Sequence, residues 1–135
     1  MHRLYAYVAD NDLGEIEALV AGEFERFTAS WNVSGVRLRN VKAPLAFTPE
    51  GQLPDWNLGL SVEAGSLELP QLQQLVSFLA ATSGRCEKKF VVGTWSPQTS
   101  TTEDLCIVDS SASAEVASTL LERLESHPWS VLRPR

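Results

Sequence analysis

Residues Trp56 to Ala64 alternate without a break. Trp56, Leu58, Leu60, Val62 and Ala64 hold every second position, and Asn57, Gly59, Ser61 and Glu63 fill the places between. A period of two puts the apolar set on one side of a strand and the polar set on the other. A strand of this kind needs a sheet with one covered face and an apolar layer to cover it. The segment before it predicts its neighbour. Val36 to Phe47 reads as a long strand, with Val36 and Leu38 on one parity and Val41, Leu45 and Phe47 on the other. That change of parity predicts a bulge near Asn40, and Pro44 predicts an edge position because it cannot donate to a ladder. Thr48-Pro49-Glu50-Gly51 has the chemistry of a turn, so the two strands are expected to pair antiparallel.

The same periodicities organise the rest of the chain. Arg3 to Ala9 alternates as a strand. Asp12 with Glu15 reads as a capping box opening a helix, whose stripe is Leu13, Ile16, Val20, Phe24, Phe27 and Trp31, with Leu19 beside it. Pro70 suits a first helical turn. Leu72, Leu75, Val76 and Leu79 make the buried face of that second helix, and Ser83-Gly84 is its expected stop. Lys88–Trp95 and Glu103–Asp109 read as two more strands. Asp109-Ser110-Ser111 then precedes a third helix with Val116, Leu120, Leu121 and Leu124 on its apolar side, ended by His127-Pro128. The order is β-α-β-β-α-β-β-α. No linker-like stretch divides it, so residues 1–135 are expected to form a single α+β domain. Its sheet would be mostly antiparallel, of about five strands, with the helices on one face. The first six elements also follow the order of a ferredoxin-like split βαβ.

Charge is concentrated. The chain has 17 Asp+Glu against 11 Lys+Arg, a net charge of −6. Asp10, Asp12, Glu15, Glu17, Glu23 and Glu25 lie in one base-free stretch, and taking those six away leaves 11 acids to balance 11 bases. Such a stretch is either a solvated helix face or a patch that steers a basic partner. Arg37, Arg39 and Lys42 form a smaller basic cluster that could meet a phosphate, and Arg85, Lys88 and Lys89 form another.

Several chemistries have no pattern to carry them. Cys86 and Cys106 lack CxxC partners, and the two histidines are His2 and His127, so no metal is expected. Without a signal-like segment the cysteines read as reduced thiols in a cytosol. Cys106 reads as a core residue, and Cys86 lies beside the positive charges of Arg85 and Lys88, which could favour a thiolate. No glycine-rich phosphate loop and no GxSxG elbow occurs, so no cofactor is expected and the chain reads as a non-enzyme. The net charge disfavours nucleic acid, and no apolar run is long enough for a membrane span. Trp31 and Trp56 read as core. Trp95 and Trp129 either close an end of the core or serve as exposed anchors.

The stretch FVVGTWSPQTSTTEDLCIVD joins a glycine-containing strand, a polar loop and an acidic-led strand. With the size, acidity and α+β make-up of the chain, residues 56–125 resemble small immunity proteins of polymorphic-toxin and contact-dependent inhibition systems. The resemblance implies a cytoplasmic inhibitor whose partner is a bacterial toxin domain. It carries over no individual residue. The expected contacts come from the charge instead: Asp12, Glu15, Glu17, Glu23 and Glu25, with Trp95 and the loop bearing Thr99 and Thr102 as a second surface. Two alternatives stand beside it. One is a type III secretion chaperone, which the chain resembles in size and acidity but not in placing a strand before its first helix. The other is a small-ligand domain or enzyme with a pocket between sheet and helices, drawing on Asn57, Ser61, Glu103 or Asp104.

Overall fold

The computed structural model describes residues 2–42, 56–96 and 101–126. Its elements are β1 (Arg3–Val8), α1 (Glu17–Ser30), β2 (Arg37–Lys42), β3 (Trp56–Glu63), a 3-10 turn (Ala64–Ser66), α2 (Leu69–Cys86), β4 (Phe90–Ser96), β5 (Thr101–Val108) and α3 (Ala114–Ser126). The strands form one sheet in the order β2-β3-β1-β4-β5, and every neighbouring pair is antiparallel. β1 and β2 are therefore parallel with β3 inserted between them, and β3 and β4 are parallel with β1 between them. This interleaving is the split βαβ arrangement, extended by β5 and α3.

The three helices cover one side of that sheet. Leu4, Ala6 and Val8 of β1, Leu58, Leu60 and Val62 of β3, and Phe90 and Val92 of β4 are all buried against Val20 and Phe24 of α1, Leu72, Leu75 and Leu79 of α2, and Leu120 of α3. An aromatic chain ties α1 to α2 and the sheet. Phe27 stacks on Phe78 at 4.2 Å, and Phe24 meets Phe78 edge-on at 4.9 Å and Phe90 at 5.8 Å. Each such pair adds about 0.5–1.5 kcal/mol to the area it buries. Trp31 and Trp56 lie in the same core.

Several local expectations are corrected. Asp12 does not cap α1. The Asp10 carboxylate accepts the backbone N–H groups of Asn11 and Asp12, at 2.7 and 3.1 Å, and so makes a turn there instead. The helix begins later, at Glu17, with Ile16 at its N-cap and no side-chain cap. β2 shows no bulge near Asn40, because its register with β3 runs unbroken from Arg37–Ser61 to Lys42–Trp56. The irregularity falls in β5 instead. Val92 faces Cys106 but Gly93 faces Asp104, so Leu105 is the extra residue. β2 is an edge strand, as Pro44 suggested, although residues 43–55 lie outside the described set. α2 runs past Ser83-Gly84 to Cys86. It ends on Glu87 in the left-handed conformation, with the Ser83 hydroxyl donating to the Lys88 carbonyl oxygen at 2.6 Å. Asp109 binds Ser111 within a turn, and α3 starts only at Ala114. The expected turn at 48–51, the loop at 97–100 and the tail with His127 and Trp129 lie outside the described residues.

Candidate functional site

The acids singled out in the sequence do not share one surface. Glu23 leans toward α2, where its carboxylate bridges Arg26 at 2.7 Å and Arg85 at 2.8 Å. Glu17 leans the other way and accepts from Asn40 of β2 at 2.7 Å, and Asn40 in turn accepts the indole N–H of Trp56 at 2.6 Å. Asp10 is paired with Lys88 at 2.7 Å, which holds its carboxyl below the usual range. Asp12, Glu15 and Glu25 are exposed, the first two ahead of α1 and the third beside the groove between α1 and β2. A solvated and partly self-paired set of charges is what this placement produces.

A different surface gathers polar and aromatic groups. It is the side of the sheet away from the helices, and the strand register arranges it in rows. One row reads Arg37, Ser61, Tyr5, Gly93, Asp104 from β2 to β5. The next reads Arg39, Gly59, Tyr7, Val91, Ile107. A third, starting at β3, reads Glu63, Arg3, Trp95, Thr102. Between them lies a concavity of about 620 Å³ bounded by these strands. That is within the range of small-ligand sites.

Local packing fixes the floor of this cleft. The Tyr5 ring lies across β4 at Gly93, where any Cβ would collide with its hydroxyl, and the hydroxyl donates to the Asp104 carboxylate. Burial and that hydrogen bond push the Tyr5 pKa up. Tyr7 stacks on Tyr5 with ring centroids 5.0 Å apart and planes 17° from parallel. Its own pKa is raised by burial, against the opposing pull of Arg39, which hydrogen-bonds it. Gly59, which faces Arg39 on one side and Tyr7 on the other, is required for a different reason: its φ is +156° and a Cβ there would collide with the Ala6 carbonyl oxygen of β1. Arg3 is a fixed part of the wall. It is 8 % exposed and donates to Ser61 Oγ at 3.2 Å and to the Gly35 carbonyl oxygen at 2.7 Å. Burial, with Arg37 nearby, lowers its pKa.

No family model, curated protein or solved structure matches this chain. The chemistry of the cleft is therefore read from its own groups. Among the described residues no three His, Cys, Asp or Glu side chains cluster to hold a metal ion. What the cleft offers is guanidinium charge at β1 and β2, stacked rings at its centre, and a carboxylate at β5.

The sequence expectations fall unevenly on this site. Trp95 and Thr102 line it, and Trp95 is 38 % exposed. Thr99 lies outside the described residues. Asn57, Ser61 and Asp104 line it too, so these residues face the uncovered side of the sheet and not a pocket between sheet and helices. Glu103 sits at the other parity, opposite Thr94. The basic cluster splits: Arg37 and Arg39 face the cleft, while Lys42 lies 4.8 Å above the Trp56 ring. Cys86 is buried in the core, not exposed beside Arg85, and the thiol of the half-buried Cys106 is pushed up by burial. Arg3, Tyr5 and Tyr7 were missed as site residues. Their signal was present as every second residue of β1, but a strand alone does not say which face will be covered.

Proposed function

We propose that this protein is a binding module that holds an anionic ligand in the cleft on the uncovered face of its sheet. The observation that supports this most is the juxtaposition of Arg37 and Arg39 with Arg3, Tyr5, Tyr7 and Trp95 around one concavity in a chain whose net charge is −6. Guanidinium groups pair with phosphate and carboxylate oxygens in a geometry that ammonium groups do not reproduce. Two of them at alternate positions of an edge strand give an anion two forks to reach. Arg37 and Arg39 are exposed, so replacing them leaves the core intact.

The test is calorimetric titration of the full chain with inorganic tripolyphosphate, a polyanion with no ring. Saturable binding that weakens with added salt is expected, and an Arg37→Ala, Arg39→Ala double variant with an unchanged melting point should lose at least tenfold in affinity. Equal binding by the double variant would contradict the assignment.

A second reading keeps the expected inhibitor of a toxin domain in the cytosol. It is supported by the exposure of Asp12, Glu15 and Glu25. Co-expression with a toxin domain encoded beside this chain should then restore growth, and charge reversal at those three positions should abolish rescue. Full rescue by the folded triple reversal would sink this reading.

A further inference from the structure

We infer that the ligand of this cleft contains a nucleotide unit, a planar base carrying a phosphate, either free or within a single strand. The inference rests on the anion-binding reading above and adds the ring and its orientation. Three observations carry it. First, the cleft is electrically polar along one row. Arg37 stands at its β2 end and Asp104 at its β5 end, four strand spacings apart, which is about 19 Å between backbones. An arginine side chain reaching inward shortens that gap to the scale of one nucleotide. Second, the space between the two ends is floored by aromatic rings. Tyr5 is 6 % exposed, and Tyr7, stacked against it, is half-buried and so the more accessible ring of the pair; the Trp95 indole stands one row from Tyr5, on the side away from Tyr7. A ring of this kind takes the face of any base, and stacking tolerates base identity. Third, the Asp104 carboxylate already accepts one hydrogen bond from Tyr5 and keeps capacity for another donor. An exocyclic base amine supplies such a donor.

The chemistry is complementary end to end. Phosphate meets Arg37 and Arg39, the base lies on Tyr7, and its amine faces Asp104. The net charge of the chain, which disfavours long polyanions in general, acts over the whole surface. Of the six acids responsible for it, Asp10 lines the cleft and is paired there with Lys88, while Glu17 and Glu23 turn to neighbours on the helical side.

The experiment compares four probes on the full chain by Trp fluorescence and calorimetry: adenosine 5′-monophosphate, ribose 5-phosphate, adenosine, and a ten-residue oligoadenylate. The nucleotide is expected to bind at least tenfold more tightly than ribose 5-phosphate or adenosine and to change the Trp emission where ribose 5-phosphate does not. Tyr7→Ala should bring the nucleotide down to the affinity of ribose 5-phosphate, whereas the Arg37→Ala, Arg39→Ala variant should weaken both. Oligoadenylate binding tighter than the monophosphate identifies a single strand as the source, and equal binding identifies the free nucleotide. If ribose 5-phosphate binds as well as the nucleotide, with the same emission, the nucleotide inference is overturned while the anion cleft stands. If Tyr7→Ala does not fold, the wild-type probe series decides alone. Failure of every phosphate probe, tripolyphosphate included, overturns both.

Discussion

Tyr5 and Tyr7 are the two tyrosines of the chain, and both face the cleft with pKa values raised chiefly by burial. For Tyr5 the hydrogen bond donated to Asp104 adds to the shift, because ionising the phenol would destroy it. The sign of the linkage is fixed by the direction. A raised folded pKa means stability that is fully present below the unfolded value of about 10 and is lost as pH climbs above it. Ultraviolet titration should therefore show less phenolate near pH 10 in the folded protein than in the unfolded chain, with Tyr5 ionising late or together with unfolding. A normal titration of both would contradict the packing described. Another residue makes a separate prediction. Thr82 is fully buried in α2, and its hydroxyl has no partner among the described residues. A buried hydroxyl without a partner costs about 1–3 kcal/mol. Thr82→Val should leave the stability unchanged or raise it by up to about 1 kcal/mol in a denaturant melt. A loss of 2 kcal/mol or more would show that the hydroxyl is in use.

At the scale of elements, the β1–α1 connection is held by charge rather than by a cap. Asp10 pins the turn through two backbone N–H groups and ties it to Lys88 next to β4. Its lowered pKa, caused first by Lys88, gives stability that is present above the ordinary Asp value of about 4 and disappears as pH falls through the lower folded value. Asp10→Asn should be less stable than the wild type at pH 7, and in urea melts the difference should shrink as pH falls below the ordinary Asp value. The element pattern itself was largely legible from periodicity. β3, the stripe of α1 and the buried face of α2 follow directly from spacings of two and of three to four. Boundaries were not. Asp12 and Glu15 carried the letters of a capping box, but Asp10, two residues earlier, formed the competing turn. The parity change in Val36–Phe47 suggested a bulge whose later positions lie outside the described residues. The true bulge, at Leu105, gave no signal, because it arises where Tyr5 lies across Gly93 and Asp104 shifts to meet it.

For the whole molecule, strand order decides what the side chains can do. β3 and β1 lie between β2 and β4, so Arg37, Ser61, Tyr5 and Asp104, which span about a hundred residues of sequence, become one row. No local pattern contains that row. Sequence spacing showed the basic cluster and the acidic stretch, but not that Arg37 and Arg39 would turn to the uncovered face while Glu17 and Glu23 turned to neighbours on the helical side. The helices cover the apolar side of β1, β3 and β4, and polar and aromatic groups collect on the opposite side of those strands. Among the described residues no helix is long and apolar enough to cross a membrane. The central claim is that this uncovered face binds the ligand, and chemical-shift mapping of the ¹⁵N-labelled chain with adenosine 5′-monophosphate tests it most directly. The account predicts perturbed amides at Tyr5, Tyr7, Arg37, Arg39 and Ser61, with α1, α2 and α3 undisturbed. Perturbations confined to the helices, or none at saturating nucleotide and tripolyphosphate, would contradict it.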